Sequence, residues 1–243
     1  MKNKILRLSM LMSIAIAPFF GALASSAPAD PVAAVEGLWA YTSLKPPDGK
    51  ELELSGVILF KDGTFAQQSI FSAEPFDQQM AMAHAGPYRA GPKGLHLVAQ
   101  QTIAISPGKD PPLSFRKDTQ HDISVDRRGD DLTLVFSSGT VQKFKRIGPA
   151  RGELHPLDHG IIAFIDGHFL LVNGDEKGVV CGYGTFTHVG PAYDLKITRW
   201  AETAGSKVTY LRDREMKATF DGATLTLADG RTFRVKSQGS SGS

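Results

Sequence analysis

Three side chains in the first half of the chain could carry out proton chemistry: His84, Tyr88 and His121. In the stretch "AHAGPYRA" the alternation of side chains places His84 and Tyr88 on one face of a strand. The same alternation places His121 with Phe115 and Ile123. Imidazole and phenol groups on an inward face need hydrogen-bond partners or a bound molecule that supplies them, and they can also act as acid–base groups.

An amide joins this set at Gln101. In "LHLVAQQTIAI" strict alternation places Gln101 on the same face as four apolar residues, Leu95, Leu97, Ile103 and Ile105. An amide among apolar side chains is costly to bury unless it is paired. We therefore predict that the two histidines, the tyrosine and Gln101 line one cavity and orient a ligand there.

These residues lie on short alternating segments between turns rich in Gly and Pro, a pattern typical of an all-β sandwich or barrel. Asp62-Gly63 and Asp166-Gly167 predict two-residue hairpin turns, because both residue types tolerate positive φ. About eight strands are expected before Ile147, and seven or eight more up to Ser237. Residues 73–84 are the one stretch where a short helix is expected, with a lid or a loop as alternatives.

The chain repeats itself. "GVILFKDGTF" at 56–65 returns as "GIIAFIDGHF" at 160–169. Two later pairs of blocks match in the same order: "GPYRAGPKGLHL" with "GTFTHVGPAYDL", and, as the third pair, "DISVDRRGDDLTLVFSSGTVQKF" with "EMKATFDGATLTLADGRTFRV". Three ordered matches predict a duplication rather than shared hairpin patterns. About eight strands can close one small barrel. We therefore predict two tandem antiparallel up-and-down barrels, over 36–147 and 152–237, with one larger barrel built from both halves as the alternative.

The repeat places arginines at two of the candidate positions in the second copy. Arg199 replaces Gln101, and Arg214 replaces His121 when the third pair of blocks is aligned on their glycines. Arginines inside a barrel would suit a carboxylate or a similar anion. Arg199 and Arg214 are therefore further ligand-binding candidates. For this second copy a packed, structural barrel is nevertheless favoured, in which Arg212 and Arg214 could pair with Asp213 or Glu215 at a rim.

Composition and the first residues bear on location. The net charge is +2, and no basic run indicates a nucleic-acid partner. A basic start, an apolar stretch and "ALA" before residue 25 predict a signal peptide at 1–24. We expect an exported protein, periplasmic or secreted, with no stable membrane insertion after cleavage. Residues 238–243 are expected to be a flexible polar tail.

Other familiar chemistry has little support in the sequence. There is no Gly-x-Ser-x-Gly, His-Glu-x-x-His or phosphate-loop pattern. Cys181 lies in the apolar stretch "VVCGYGTF" and is predicted to be a buried structural thiol. The segment "HPLDH" at 155–159 has metal-ligating residue types, but it contains a proline and lies between the two copies, so a linker or short edge strand is favoured. We predict no metal and no cofactor.

The first copy also carries motifs of a known family. Gly37-Leu38-Trp39 resembles the Gly-x-Trp of lipocalins, and the order of "GVILFKDGTF" and "AHAGPYRA" is similar to that in bacterial lipocalin-like domains. The resemblance covers 36–147, and it is fainter over 152–237, where the Gly-x-Trp is missing. It implies a β-barrel with an interior cavity, but it does not imply one chemistry.

The favoured function is binding of a small apolar or amphipathic, and in some cases anionic, molecule in a barrel cavity. One alternative is a barrel-type isomerase or cyclase that uses His84, Tyr88 and His121 as acid–base groups. Another is an interaction or inhibitor module that uses the outer barrel surface or an apolar patch on the 73–84 segment. The sequence leaves catalysis undecided and leans towards binding.

Overall fold

The computed structural model describes residues 30–71 and 75–236. The predicted signal peptide and the predicted C-terminal tail lie outside the described residues. The described part is all-β, with two antiparallel barrels in tandem, as predicted. None of its helices is long and apolar enough to cross a membrane.

A ten-stranded sheet forms the first barrel. Its strands are β1 (Gly37–Lys45), β2 (Leu54–Lys61), β3 (Thr64–Phe71), β4 (Ala81–Gly91), β5 (Gly94–Ala99), β6 (Gln101–Ile105), β7 (Leu113–Arg116), β8 (Thr119–Arg128), β9 (Asp131–Phe136) and β10 (Val141–Gly148). The sheet closes because β1 pairs with both β2 and β10, and β3 pairs with β4. The start of β4 pairs with β6 and its end with β5, which pairs with β8.

The second barrel is a simple meander of eight strands. They are β11 (Gly152–Leu157), β12 (Gly160–Ile165), β13 (His168–Asp175), β14 (Gly178–Val189), β15 (Ala192–Ala204), β16 (Lys207–Phe220), β17 (Thr224–Leu227) and β18 (Thr232–Arg234). The ends of the meander meet where Leu157 bridges Val235 and the Lys236 N–H donates to the Pro156 carbonyl at 2.8 Å.

The predicted Asp-Gly hairpins are confirmed. Asp62 and Gly63 have φ of 48° and 74°, and Asp166 and Gly167 have φ of 49° and 75°. Positive φ at both central residues is what a type I′ turn requires. In the stretch 73–84, where a short helix, a lid or a loop is expected, the described residues from Pro75 onward form one 3₁₀ turn at Phe76–Gln78 within a loop, and the chain from Ala81 onward belongs to β4.

One end of the first barrel is closed. The helix α1 (Pro31–Val35) lies there, and the Trp39 indole N–H donates to the Val35 carbonyl at 2.7 Å. The guanidinium groups of Arg127 and Arg146 lie over the Trp39 ring at 5.3 and 5.6 Å. The opposite end, where β3 ends and β4 begins, is called the mouth below.

The two barrels share a strand irregularity that reverses which residues face inward. Leu95, Leu97 and Ala99 of β5 lie in the first barrel's interior, but Ile103 and Ile105 of β6 lie on its outer face. In β15, Leu195 and Ile197 face inward, whereas Ala201 faces outward. In the second barrel this reversal coincides with a shift in the β14–β15 register between Tyr183 and Gly184. Each barrel also has an aspartate with positive φ near its irregularity, Asp118 at 54° in the first and Asp213 at 52° in the second.

These ladders correct the alignment of the third pair of blocks. Leu97 pairs with His121, and its counterpart Leu195 pairs with Met216. His121 therefore corresponds to Met216 rather than to Arg214. The glycine-based alignment is wrong by two residues at β16 because it was anchored on turns, whose lengths differ between the copies.

The barrels pack against each other through corresponding outer faces. β3 contacts β13 and β14, while β13 contacts β3 and β4. Gln68 donates from Nε2 to the Cys181 carbonyl at 3.0 Å, and their counterparts Val172 and Ala83 lie in the same buried cluster. This reciprocity is what an isologous two-fold interface shows. The molecule therefore has an internal pseudo-twofold axis.

Candidate functional site

A layer of polar side chains crosses the interior of the first barrel near its mouth. We call this set the polar layer: Tyr41, Gln67, His84, Thr102, His121 and Gln142. Three of its members are direct cross-strand neighbours, because Gln67 pairs with His84 and His84 pairs with Thr102. The two histidine rings are 6.3 Å apart between centroids. The predicted convergence of His84 and His121 is therefore present.

A hydrogen-bond network joins most of the layer. The Gln67 amide nitrogen lies 2.6 Å from His84 Nδ1. The Tyr41 hydroxyl donates to Gln67 Oε1 at 3.0 Å, and it lies 3.2 Å from Gln142 Oε1. Because Gln67 Oε1 accepts from the tyrosine, its amide nitrogen donates to Nδ1, and the proton of His84 resides on Nε2.

Burial and the nearby Arg116 guanidinium lower the pKa of both imidazoles and keep them neutral. Burial, then His121, then Arg116 lower the pKa of His84 to about 3. Burial and Arg116 also lower the pKa of His121. Arg116 is exposed at the mouth and pairs with Thr102 in the sheet, so it extends the row of polar side chains. The site therefore holds two neutral imidazoles beside one cation.

Apolar side chains lie on both sides of the polar layer. Towards the closed end, the interior is filled by residues that are at most 5% exposed, among them Trp39, Phe60, Phe65, Leu97 and Ile123. Towards the mouth, the same inward registers carry four partly exposed apolar residues, Leu54, Phe71, Met82 and Phe136. The site is thus a polar floor beneath an apolar rim.

The second barrel shows that the fold does not require this polarity. Its ladders place apolar residues or glycine at the corresponding positions: Leu157, Leu171, Gly182, Trp200, Met216 and Phe233. The Trp200 ring fills the space over Gly182, where an added Cβ would lie 2.1 Å from Cε3 of Trp200. One copy of the barrel therefore packs this layer with apolar side chains, and the other keeps it polar.

Tyr88 faces inward as predicted but lies at the other end of the barrel from the histidines. Its hydroxyl donates to Glu36 Oε1, and its ring contacts Phe60 edge-on at 5.1 Å. Burial and the Glu36 carboxylate raise the pKa of Tyr88. Tyr88 supports the closed end, so the expected grouping of His84 with Tyr88 is wrong. Tyr41 takes its place near the histidines.

Gln101 and Arg199 do not face a barrel interior, which corrects their predicted orientation. Both follow the irregularity described above, so their side chains turn outward. Gln101 donates from Nε2 to the carbonyls of His159 at 2.7 Å and Gly174 at 2.9 Å, across the inter-barrel interface. Arg199 donates to the Thr198 carbonyl. Simple alternation missed the extra residue that bulges at Gln100 and Thr198.

Arg214 pairs with Ile197, which faces the interior of the second barrel, but the Arg214 side chain itself is exposed and not buried inside the barrel. Phe115 lies on the outer side of the first barrel, away from His121, because the Lys117–Asp118 turn reverses the alternation.

Cys181 is a fully buried thiol in the inter-barrel cluster, and burial raises its pKa to about 12. In "HPLDH", His155 contacts Glu153 at 3.1 Å.

Among the described residues, no group of three or more His, Cys, Asp or Glu side chains is arranged to hold a metal ion. No family model, curated protein or solved structure matches the chain. The likeness to lipocalins therefore rests on the motifs quoted above and on the barrel architecture.

Sequence reasoning missed five residues of the site: Tyr41, Gln67, Thr102, Gln142 and Arg116. A signal for three of them was present. Tyr41 follows Trp39 by two residues, Gln67 follows Phe65 by two, and Gln142 precedes Phe144 by two. Each therefore shares an inward face with an aromatic residue. Thr102 and Arg116 could not be found this way, because both lie beyond irregularities that reverse the alternation.

Proposed function

We propose that the first barrel is the binding module of an exported, lipocalin-like protein that takes a small amphipathic molecule at its mouth. The polar end of the ligand hydrogen-bonds to His84 and His121, and its apolar part lies against the rim. The observation that carries this proposal is the contrast between the copies. The same layer is polar in the first barrel and apolar in the second, so its polarity serves something other than folding.

The charges favour a ligand with an anionic or strongly accepting end. The charge of Arg116 acts on both histidines, and a neutral His84 offers its Nε2–H as a donor. An anion beside these groups would be hydrogen-bonded and partly neutralised. The rim supplies the apolar contact area, from which most of the affinity of such sites arises.

Binding is better supported than acid–base catalysis. A general base works best when its pKa lies near the working pH. The pKa of His84, at about 3, makes it a weak base, and Tyr88 is held by Glu36 at the closed end. This arrangement therefore gives little support to His84 and Tyr88 as acid–base groups of an isomerase or cyclase.

Native mass spectrometry of the protein purified from its own source tests the proposal in an open way. We expect a co-purifying small molecule that extraction removes.

A defined probe tests the location of the binding site. Isothermal titration with dodecanoate compares Phe136→Gln, at the rim, with Val135→Gln, its outward-facing neighbour on the same strand. We expect at least a tenfold loss of affinity for the first and less than a twofold change for the second; equal effects would contradict the proposal.

A further inference from the structure

A groove of about 790 Å³ runs between the two barrels on one side of the pseudo-twofold axis. Phe115 and Lys117 line it from the first barrel, and Asp158, Asp175 and Glu176 line it from the second. Its volume lies in the range of ligand-binding clefts. It continues the inter-barrel interface, because Gln101, which bridges the barrels, is part of its wall.

The pseudo-twofold axis identifies what corresponds to this groove on the other side of the molecule. Ile103 pairs with Phe115, and its counterpart Ala201 pairs with Tyr210. Phe115 therefore corresponds to Tyr210. Two residues further on, Lys117 corresponds to Arg212. An aromatic side chain and a cation stand at the same two positions on both sides.

On that other side the chain itself fills the groove. Residues 75–80, in the connection between β3 and β4, lie against the second barrel. The Phe76 ring packs edge-on against Tyr210 at 5.9 Å, and the Arg212 guanidinium lies 4.5 Å from its centroid. The Tyr210 hydroxyl donates to the Gln79 carbonyl.

Loop length explains the asymmetry. The first copy joins β3 to β4 through residues 72–80, whereas the second copy joins β13 to β14 through Glu176 and Lys177 alone. The shorter connection leaves the groove beside Phe115 and Lys117 open, with Glu176 on its opposite wall. On the filled side, the void left between the two barrels among Leu38, Val57 and Tyr183 is only about 10 Å³.

We propose that the open groove binds an extended peptide segment of a partner protein, with an aromatic side chain packed between Phe115 and Lys117. Segment 75–80 is the internal example of such an occupant. The acidic side chains Asp175 and Glu176 on the second-barrel wall complement a basic residue next to the aromatic one. This site is separate from the mouth of the first barrel, so the failure of one proposal would not affect the other.

The test uses the full chain and a fluorescent peptide, PFKQQM, which repeats residues 75–80 with lysine in place of Asp77. Anisotropy measures binding. We expect PAKQQM to bind at least tenfold more weakly, since it lacks the aromatic ring. We expect Lys117→Ala to weaken PFKQQM binding two- to fivefold through loss of the cation–π contact. Lys143→Ala, an exposed lysine on β10, is the matched control and should leave binding unchanged.

Phe115→Ala should weaken binding at least tenfold, and circular dichroism should confirm that this variant is folded. Amide shifts in NMR locate the peptide independently of any variant. Shifts at Phe115 and Lys117 support the proposal. Shifts at Tyr210 and Arg212 would mean that the peptide displaces segment 75–80, and this would overturn it. The absence of binding at about 1 mM peptide would overturn it too, as would N-acetyl-phenylalaninamide binding as tightly as the peptide.

Discussion

Gln67 Nε2 lies 2.6 Å from His84 Nδ1, and this contact fixes His84 as a neutral imidazole with its proton on Nε2. The tautomer follows from the neighbouring Tyr41 hydroxyl, which donates to the carbonyl oxygen of the same amide. A protonated His84 would place an N–H against the Gln67 amide hydrogens. The network therefore opposes protonation, in agreement with the low pKa of this histidine.

The first prediction concerns stability against pH. The unfolded chain protonates His84 below its usual pKa of 6.5, whereas the folded chain does so only near 3. Acid therefore favours the unfolded state, and the free energy of unfolding falls as the pH drops from 6.5 towards 3. One such proton contributes at most about 1.4 kcal/mol per pH unit. Urea denaturation at pH 7 and pH 4.5 measures this loss.

The variant His84→Gln isolates this contribution, because glutamine can accept from Gln67 but does not titrate. We expect its stability to fall less between pH 7 and pH 4.5 than that of the wild type. His188→Gln, at an exposed position, is the control and should follow the wild-type curve. An identical pH dependence for His84→Gln and the wild type would show that His84 titrates normally.

The second prediction concerns the tyrosine at the centre of the polar layer. Tyr41→Phe removes the hydroxyl that donates to Gln67 and leaves buried amide oxygens without a partner. An unsatisfied buried polar group costs about 1–3 kcal/mol. We expect a loss of that size in urea denaturation at pH 7. Tyr193→Phe in the second barrel should change stability by less than about 0.5 kcal/mol, and equal losses would argue against the network.

Much of the fold was readable from the sequence, and the site only in part. Asp-Gly turns, alternation and the repeat of "GVILFKDGTF" predicted two tandem all-β barrels, because these signals depend on local geometry. The inward faces of His84 and His121 were also predicted correctly. Gln101 and Arg199 were assigned to the wrong face, since one bulged residue reverses every later side chain on its strand. No periodicity in the sequence reveals where such a bulge falls.

The third prediction uses Cys181 as a probe of barrel docking. The thiol is fully buried on the outer face of the second barrel, under Gln68 of the first, and burial raises its pKa to about 12. It should resist a thiol reagent at pH 8 until the barrels separate or unfold. A cysteine placed at the exposed Ser138 should react at once. Equally fast labelling of Cys181 in the native protein would contradict the packed interface.

The fourth prediction concerns the apolar counterpart of the polar layer. In Gly182→Ala the new methyl group would lie 2.1 Å from Cε3 of Trp200. Forcing a group into a packed core costs about 1–3 kcal/mol. Gly108→Ala is the control, because an added Cβ there meets nothing within 4 Å. Thermal or urea denaturation should show a loss only for Gly182→Ala, and an unchanged stability would mean that the second barrel is not tightly filled at this layer.

The central claim is that the polar layer of the first barrel contacts a small amphipathic ligand. Titration of ¹⁵N-labelled protein with dodecanoate, followed through the histidine ring signals, tests this contact directly. We predict that the His84 and His121 signals shift and saturate together, while those of His155, His168 and His188 in the second half stay in place. Saturable binding that leaves both His84 and His121 unmoved would contradict the claim.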